Sequence, residues 1–87
     1  MTKLKIEENQ SEKLDKLEVI VLEIEEQTSS IDPSRPPTIY VKFKVNYDGT
    51  IVRFGGGIGD KFTAFDKVFE IKECQKPLVV FEIQDDK

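Results

Sequence analysis

The chain has 87 residues, no histidine, one cysteine, a hydrophobic fraction of 38%, a charged fraction of 34% and a formal net charge of −4. That length allows one small core, no apolar run approaches the ~20 residues of a membrane-spanning helix, and the commonest general base and metal ligand is missing. The acidic balance argues against nucleic acid as a partner, which calls for a strongly basic domain, so the expectation is a cytoplasmic chain that binds without catalysing and uses no cofactor and no metal.

Residues 1–15 mix both charge signs and offer little to bury beyond Leu4, Ile6 and Leu14. They read as a flexible N-terminal tail or a short polar helix around residues 11–14. They lack the apolar stretch of a signal peptide, which is the basis for the cytoplasmic expectation. The remainder, residues 16–87, reads as a single β-rich domain.

From Leu17 the texture changes. Leu17, Val19 and Val21 alternate with Ile20, Leu22 and Ile24, so both faces of this stretch are apolar and a central strand with two contact layers is expected. Residues 27–37 hold Pro33, Pro36 and Pro37, each lacking a backbone donor and restricting the residue before it, and read as a long exposed loop.

The next strand has the clearest alternation. Ile39, Val41, Phe43, Val45 and Tyr47 fall on one face, and Tyr40, Lys42, Lys44 and Asn46 on the other. Asp48-Gly49 follows, the dipeptide that a tight type I′ hairpin prefers because both central residues need positive φ. Residues 51–54 should then pair back antiparallel and bring Arg53 near the lysines. Tyr40, Lys42, Lys44 and Arg53 are therefore the candidate partner-binding residues.

The run Gly55-Gly56-Gly57-Ile58-Gly59 does not match a phosphate-binding loop, because Asp60 stands where the glycine before the lysine is required and Phe62 follows Lys61. A dinucleotide fingerprint fails at the same aspartate. The segment reads as a flexible glycine loop between strands. Residues 62–71 and 78–83 read as further strands, with Phe69, Ile71, Val79, Phe81 and Ile83 as core contributors and Cys74 as an ordinary turn residue between them. The fold class is therefore all-β: a small antiparallel β-sandwich or barrel of about five to six strands.

Charge is polarised along the chain. Residues 17–32 carry net −5 and residues 33–67 net +3. Asp60, Asp66, Glu70 and Glu82 stand at spacings that show no carboxylate pairing, and no activated nucleophile is evident, so no catalytic residue is expected. An alternative reading uses Glu18, Glu23, Glu25 and Glu26: a small acidic adaptor or inhibitor that meets a basic protein surface.

The order of residues 16–24, a loop containing Asp32, residues 39–45, 65–71 and 78–86 resembles part of a C2 domain. C2 domains are β-sandwiches that dock on membranes or proteins, often through calcium held by loop aspartates. The resemblance places Thr38 and Ile39 where the family has an Asp-Pro pair whose aspartate binds calcium. Asp32 and Asp85 match other loop aspartates, but the next alternate position is Lys87, and even with Asp86 the set falls short of the six to eight oxygen ligands that calcium needs, so the resemblance implies a calcium-independent interaction module. Tyr40, Lys42 and Lys44 correspond to a basic strand that attracts anionic lipid. The expected partners are a protein or an anionic membrane surface. In the family further strands follow the point matched by Ile83, so a homo-oligomer or an assembly completed by a partner strand is a further expectation.

Overall fold

The computed structural model describes residues 2–28, 31–32 and 34–86. They form eight strands: β1 (Thr2–Glu7), β2 (Ser11–Leu14), β3 (Leu17–Gln27), β4 (Thr38–Tyr47), β5 (Thr50–Gly56), β6 (Lys61–Ala64), β7 (Lys67–Gln75) and β8 (Leu78–Asp85). One sheet has the order β1-β8-β7-β6 and the other β2-β3-β4-β5, all antiparallel. These are two open sheets packed face to face, with more strands than the five to six expected. Among the described residues no helix is long and apolar enough to cross a membrane.

The segment expected as a flexible tail supplies two of the extra strands. β1 pairs with β8 and β2 with β3, which sends Ile6 into the core at 1% exposure. Its isolated sequence has too few apolar residues to announce this. The strands exist because neighbouring strands supply their hydrogen bonds, a tertiary effect that outweighs weak local preference. β8 is consequently paired on both sides, by β1 and β7, and needs no partner strand beside it.

Two-residue turns make most of the corners. Asp48-Gly49 has φ of 50° and 90°, the mirror-image turn expected from the sequence. Phe65-Asp66 has φ of 53° and 60° and splits into β6 and β7 a stretch that the sequence presents as one strand. A phenylalanine at positive φ is an outlier; its ring stacks on Tyr47 at 5.4 Å. The bond before Pro77 in the β7–β8 turn is cis. Gly55 and Gly56 lie inside β5 instead of in a loop, and of the run from Gly55 to Gly59 only Gly59 has positive φ.

A β-bulge at Leu22 decides what β3 shows to each side. The register shifts between Val21 and Glu23, and an extra residue reverses the alternation beyond it. Leu17, Val19, Val21 and Ile24 thus all point into the core, while Leu22 is left 37% exposed. The strand has one buried face, not two. The same shift sends Glu23 and Glu25 outward, where unbroken alternation would have driven them into the core. β7 repeats the device between Ile71 and Glu73, which turns Cys74 inward. Cys74 is a core residue, not a turn residue, with a free thiol.

The two bulges belong to an internal two-fold repeat. Asn9 donates to Val21 and Gly59 to Ile71, at 2.9 and 2.7 Å. Val21 donates to Gln10 and Ile71 to Asp60, at 3.0 and 3.2 Å. Each pair of equivalent residues is fifty positions apart. β1–β4 therefore match β5–β8, and the first strand of each half pairs with the last strand of the other. The halves differ most between their third and fourth strands: residues 28–37 in one, only Lys76-Pro77 in the other.

The core lies between the sheets. Phe43 sits at its centre with ring centroids of Phe54, Phe62 and Phe81 at 5.5, 5.2 and 4.9 Å. Fully burying a side chain of this size, as for Phe43 and Phe81, contributes about 1.5–3 kcal/mol.

Candidate functional site

The candidate residues are brought together on the outer face of the β2-β3-β4-β5 sheet. Strict alternation in β4 places Tyr40, Lys42 and Lys44 outward, because Val41, Phe43 and Val45 are fully buried on the other side. The Asp48-Gly49 turn then sets the register. Lys44 lies directly opposite Arg53 on β5 and opposite Ile20 on β3, while Lys42 lies opposite Gly55 and Glu23.

The four side chains do different things. Tyr40 leans across β5 and covers Gly55, where an added Cβ would collide with its Oη. Lys42 donates to Glu25 Oε1 at 2.9 Å and lies 3.6 Å from Glu23 Oε2. The hydrogen bond to Glu25, with the charges of both carboxylates, holds the Lys42 ammonium above the ordinary lysine range. Its charge is thus spent within the chain. Lys44 and Arg53 have no ion pair among the described residues. Like charges directly opposite on a sheet repel, so this pair is a small unneutralised cationic locus.

Apolar side chains border that locus. Ile20 is half-buried beside Lys44, and Ile51, one step along β5 from Arg53 on the same face, is 51% exposed. Phe54 and Phe62 stand 5.1 Å apart, both only half-buried, at the open side of the sandwich where edge strands β5 and β6 meet. The alternation around Arg53 could have drawn attention to Ile51. Nothing in the sequence places Phe54 beside Phe62.

The other sheet carries a carboxylate pair that the sequence spacing concealed. Glu70 and Glu82 are directly opposite across β7 and β8, and Lys72 Nζ lies 3.5 and 4.0 Å from them. The reading that these acids show no pairing is corrected: strand register joins residues twelve apart. The arrangement is a lysine-bridged pair on a sheet face.

Acidic side chains gather elsewhere too. Glu23, Glu25 and Glu26 line a shallow cleft of about 540 Å³ with Gln27, Ile24 and Lys76. Glu8 reaches from the β1–β2 turn to accept the Ile24 amide at 2.8 Å just beyond the bulge. Of the aspartates matched to calcium loops, Asp32 accepts from the Ser34 amide at 3.1 Å and Asp85 pairs with Lys67. Among the described residues no three acidic, cysteine or histidine side chains cluster to hold a metal ion. Burial pushes the Cys74 thiol up, with the charges of Glu26 and Glu8 adding to it, so the residue is a poor nucleophile.

Compared with known proteins, the chain matches no family model, no curated protein and no solved structure.

Proposed function

We propose that this chain is a non-catalytic interaction module, C2-like in its strand texture and calcium-independent, that binds an acidic protein surface through the outer face of its β2-β3-β4-β5 sheet. The observation that carries the reading is the juxtaposition of Lys44 and Arg53, directly opposite and without ion pairs among the described residues, beside Ile20 and exposed Ile51. A cationic centre with apolar neighbours on a rigid sheet suits a partner that supplies carboxylates, and such complementarity raises association rate and fixes register.

A protein fits better than a membrane. Each cation near an anionic leaflet contributes about 1 kcal/mol. With Lys42 engaged by Glu25 and Glu23, the two remaining cations supply only weak adhesion. The alternative, an acidic adaptor using Glu18, Glu23, Glu25 and Glu26, is favoured by the cleft that the last three line, but the single charge of Lys42, shared between Glu23 and Glu25, already offsets one of theirs.

The test is charge reversal at both positions. Lys44→Glu with Arg53→Glu should abolish capture of the acidic partner while the unfolding midpoint stays within a few degrees. Neither side chain is in the core. Capture that survives reversal, or that is lost on neutralising Glu23 and Glu26 instead, would transfer the binding role to the acidic cleft. Co-sedimentation with phosphatidylserine vesicles should be weak and unaffected by calcium; strong binding would make the membrane the partner.

A further inference from the structure

Strand β5 is the longest of the four edge strands, at seven residues against six for β1 and four each for β2 and β6. Its open edge is also the least guarded. β1 carries Lys3, Lys5 and Glu7 at alternate positions, the pattern by which edges deter pairing; β5 carries only Arg53.

The hairpin register shows which backbone groups are open. Tyr47 and Thr50 flank a two-residue turn and face each other, so they exchange both hydrogen bonds, and Val52, Phe54 and Gly56 follow them in bonding to β4. The amides and carbonyls of Ile51, Arg53 and Gly55 therefore point away from the sheet. On the inner side of the same edge stand Phe54 and Phe62, only half-buried. On its outer side stand Arg53 and Lys44.

We propose that β5 accepts an extended segment of another protein as a fifth strand, one that alternates apolar and acidic residues. Its backbone pairs with Ile51, Arg53 and Gly55. Its apolar side chains cover Phe54 and Phe62, and its carboxylates meet Arg53 and Lys44. Strand addition of this kind takes affinity from main-chain bonds and specificity from alternate side chains. A second copy of this chain is a poor occupant, because antiparallel pairing of two β5 strands centred on Arg53 would set the arginines opposite each other. The proposal rests on Lys44 and Arg53 being the docking locus and adds how the partner is held.

The probe is a synthetic peptide of alternating valine and glutamate, with the valine–lysine peptide as its control, added to the isotope-labelled chain. The glutamate peptide should bind and slow hydrogen exchange at Ile51, Arg53 and Gly55 by about tenfold or more, and the lysine peptide should not bind. Arg53→Glu should weaken binding about tenfold, and so should Ile51→Pro, which removes an outward donor but no bond to β4. Chemical-shift changes at Lys44 and Arg53 without slowed exchange at Ile51, Arg53 and Gly55 would overturn strand addition and leave the docking face standing. Equal binding of both peptides, or none, would overturn this mode and count against the docking face as well. Dimerisation of the free chain through β5 would show that the edge serves self-association.

Discussion

Val21 and Ile71 hold the same place in the two halves of the sandwich. The Val21 amide and carbonyl bond to Gln10 and Asn9 at 3.0 and 2.9 Å, and those of Ile71 to Asp60 and Gly59 at 3.2 and 2.7 Å. Each residue ends its regular run and is followed by a bulge, at Leu22 and at Lys72. The repeat explains why so short a chain closes its core: the first strand of each half completes the sheet of the other, so β1 and β5 are held by β8 and β4. It also isolates what is particular to one half. The row Ser11, Ile20, Lys44, Arg53 on one outer face matches Lys61, Glu70, Glu82, Lys3 on the other. Only the first lacks carboxylates.

The adjacent glycines of β5 should respond differently to substitution. An added Cβ at Gly56 would stand 2.6 Å from Phe62 and 2.7 Å from Asp60 Oδ2, inside the packed edge. Gly56→Ala should therefore cost about 1–3 kcal/mol by overpacking. At Gly55 the obstacle is the outer end of Tyr40, which can swing into solvent, so Gly55→Ala should cost under about 1 kcal/mol. Denaturant unfolding of the two variants measures the difference.

Phe43 joins the aromatic contacts from both sheets. Phe43→Ala should cost about 3–5 kcal/mol, and Phe54→Ala, at the half-buried edge, only about 1–2 kcal/mol. The order of the two unfolding midpoints checks the placement of the core.

Cys74 gives a pH dependence. Its folded thiol is raised above the ordinary value of 9.0, chiefly by burial. A raised folded value means that the stabilisation is full below the unfolded thiol's titration and is lost as pH rises through and beyond it. Stability should thus fall on the alkaline side of about pH 9, and Cys74→Ala should remove part of that fall while leaving a cavity cost at neutral pH. In the native chain Cys74 should react with a thiol reagent only at the rate of opening. Immediate labelling would place it at the surface.

What the sequence discloses follows from where structure is local. β4 is legible because alternation alone separates Val41, Phe43 and Val45 from Lys42 and Lys44, and the Asp48-Gly49 turn because its φ demands suit few other residues. The bulges are not legible: no residue at Leu22 or Lys72 announces an extra position, yet the first decides that Glu23 and Glu25 face Lys42. The basic face therefore looks stronger in the sequence than it is. The Phe65-Asp66 turn escapes because a phenylalanine rarely takes positive φ. The repeat escapes because the Asp-Lys dipeptides at 15–16 and 66–67 lie one residue out of the structural register, and because Gly56 stands where the other half has Ile6.

The most direct measurement for the docking face is a nuclear magnetic resonance titration of the isotope-labelled chain with polyglutamate at low and at physiological salt. Shifts centred on Lys44 and Arg53, spreading to Ile20 and Ile51 and weakened by salt, are the predicted result. Shifts centred on Lys3, Lys5 and Lys61 of the opposite sheet, or none at Lys44 and Arg53, would contradict the account.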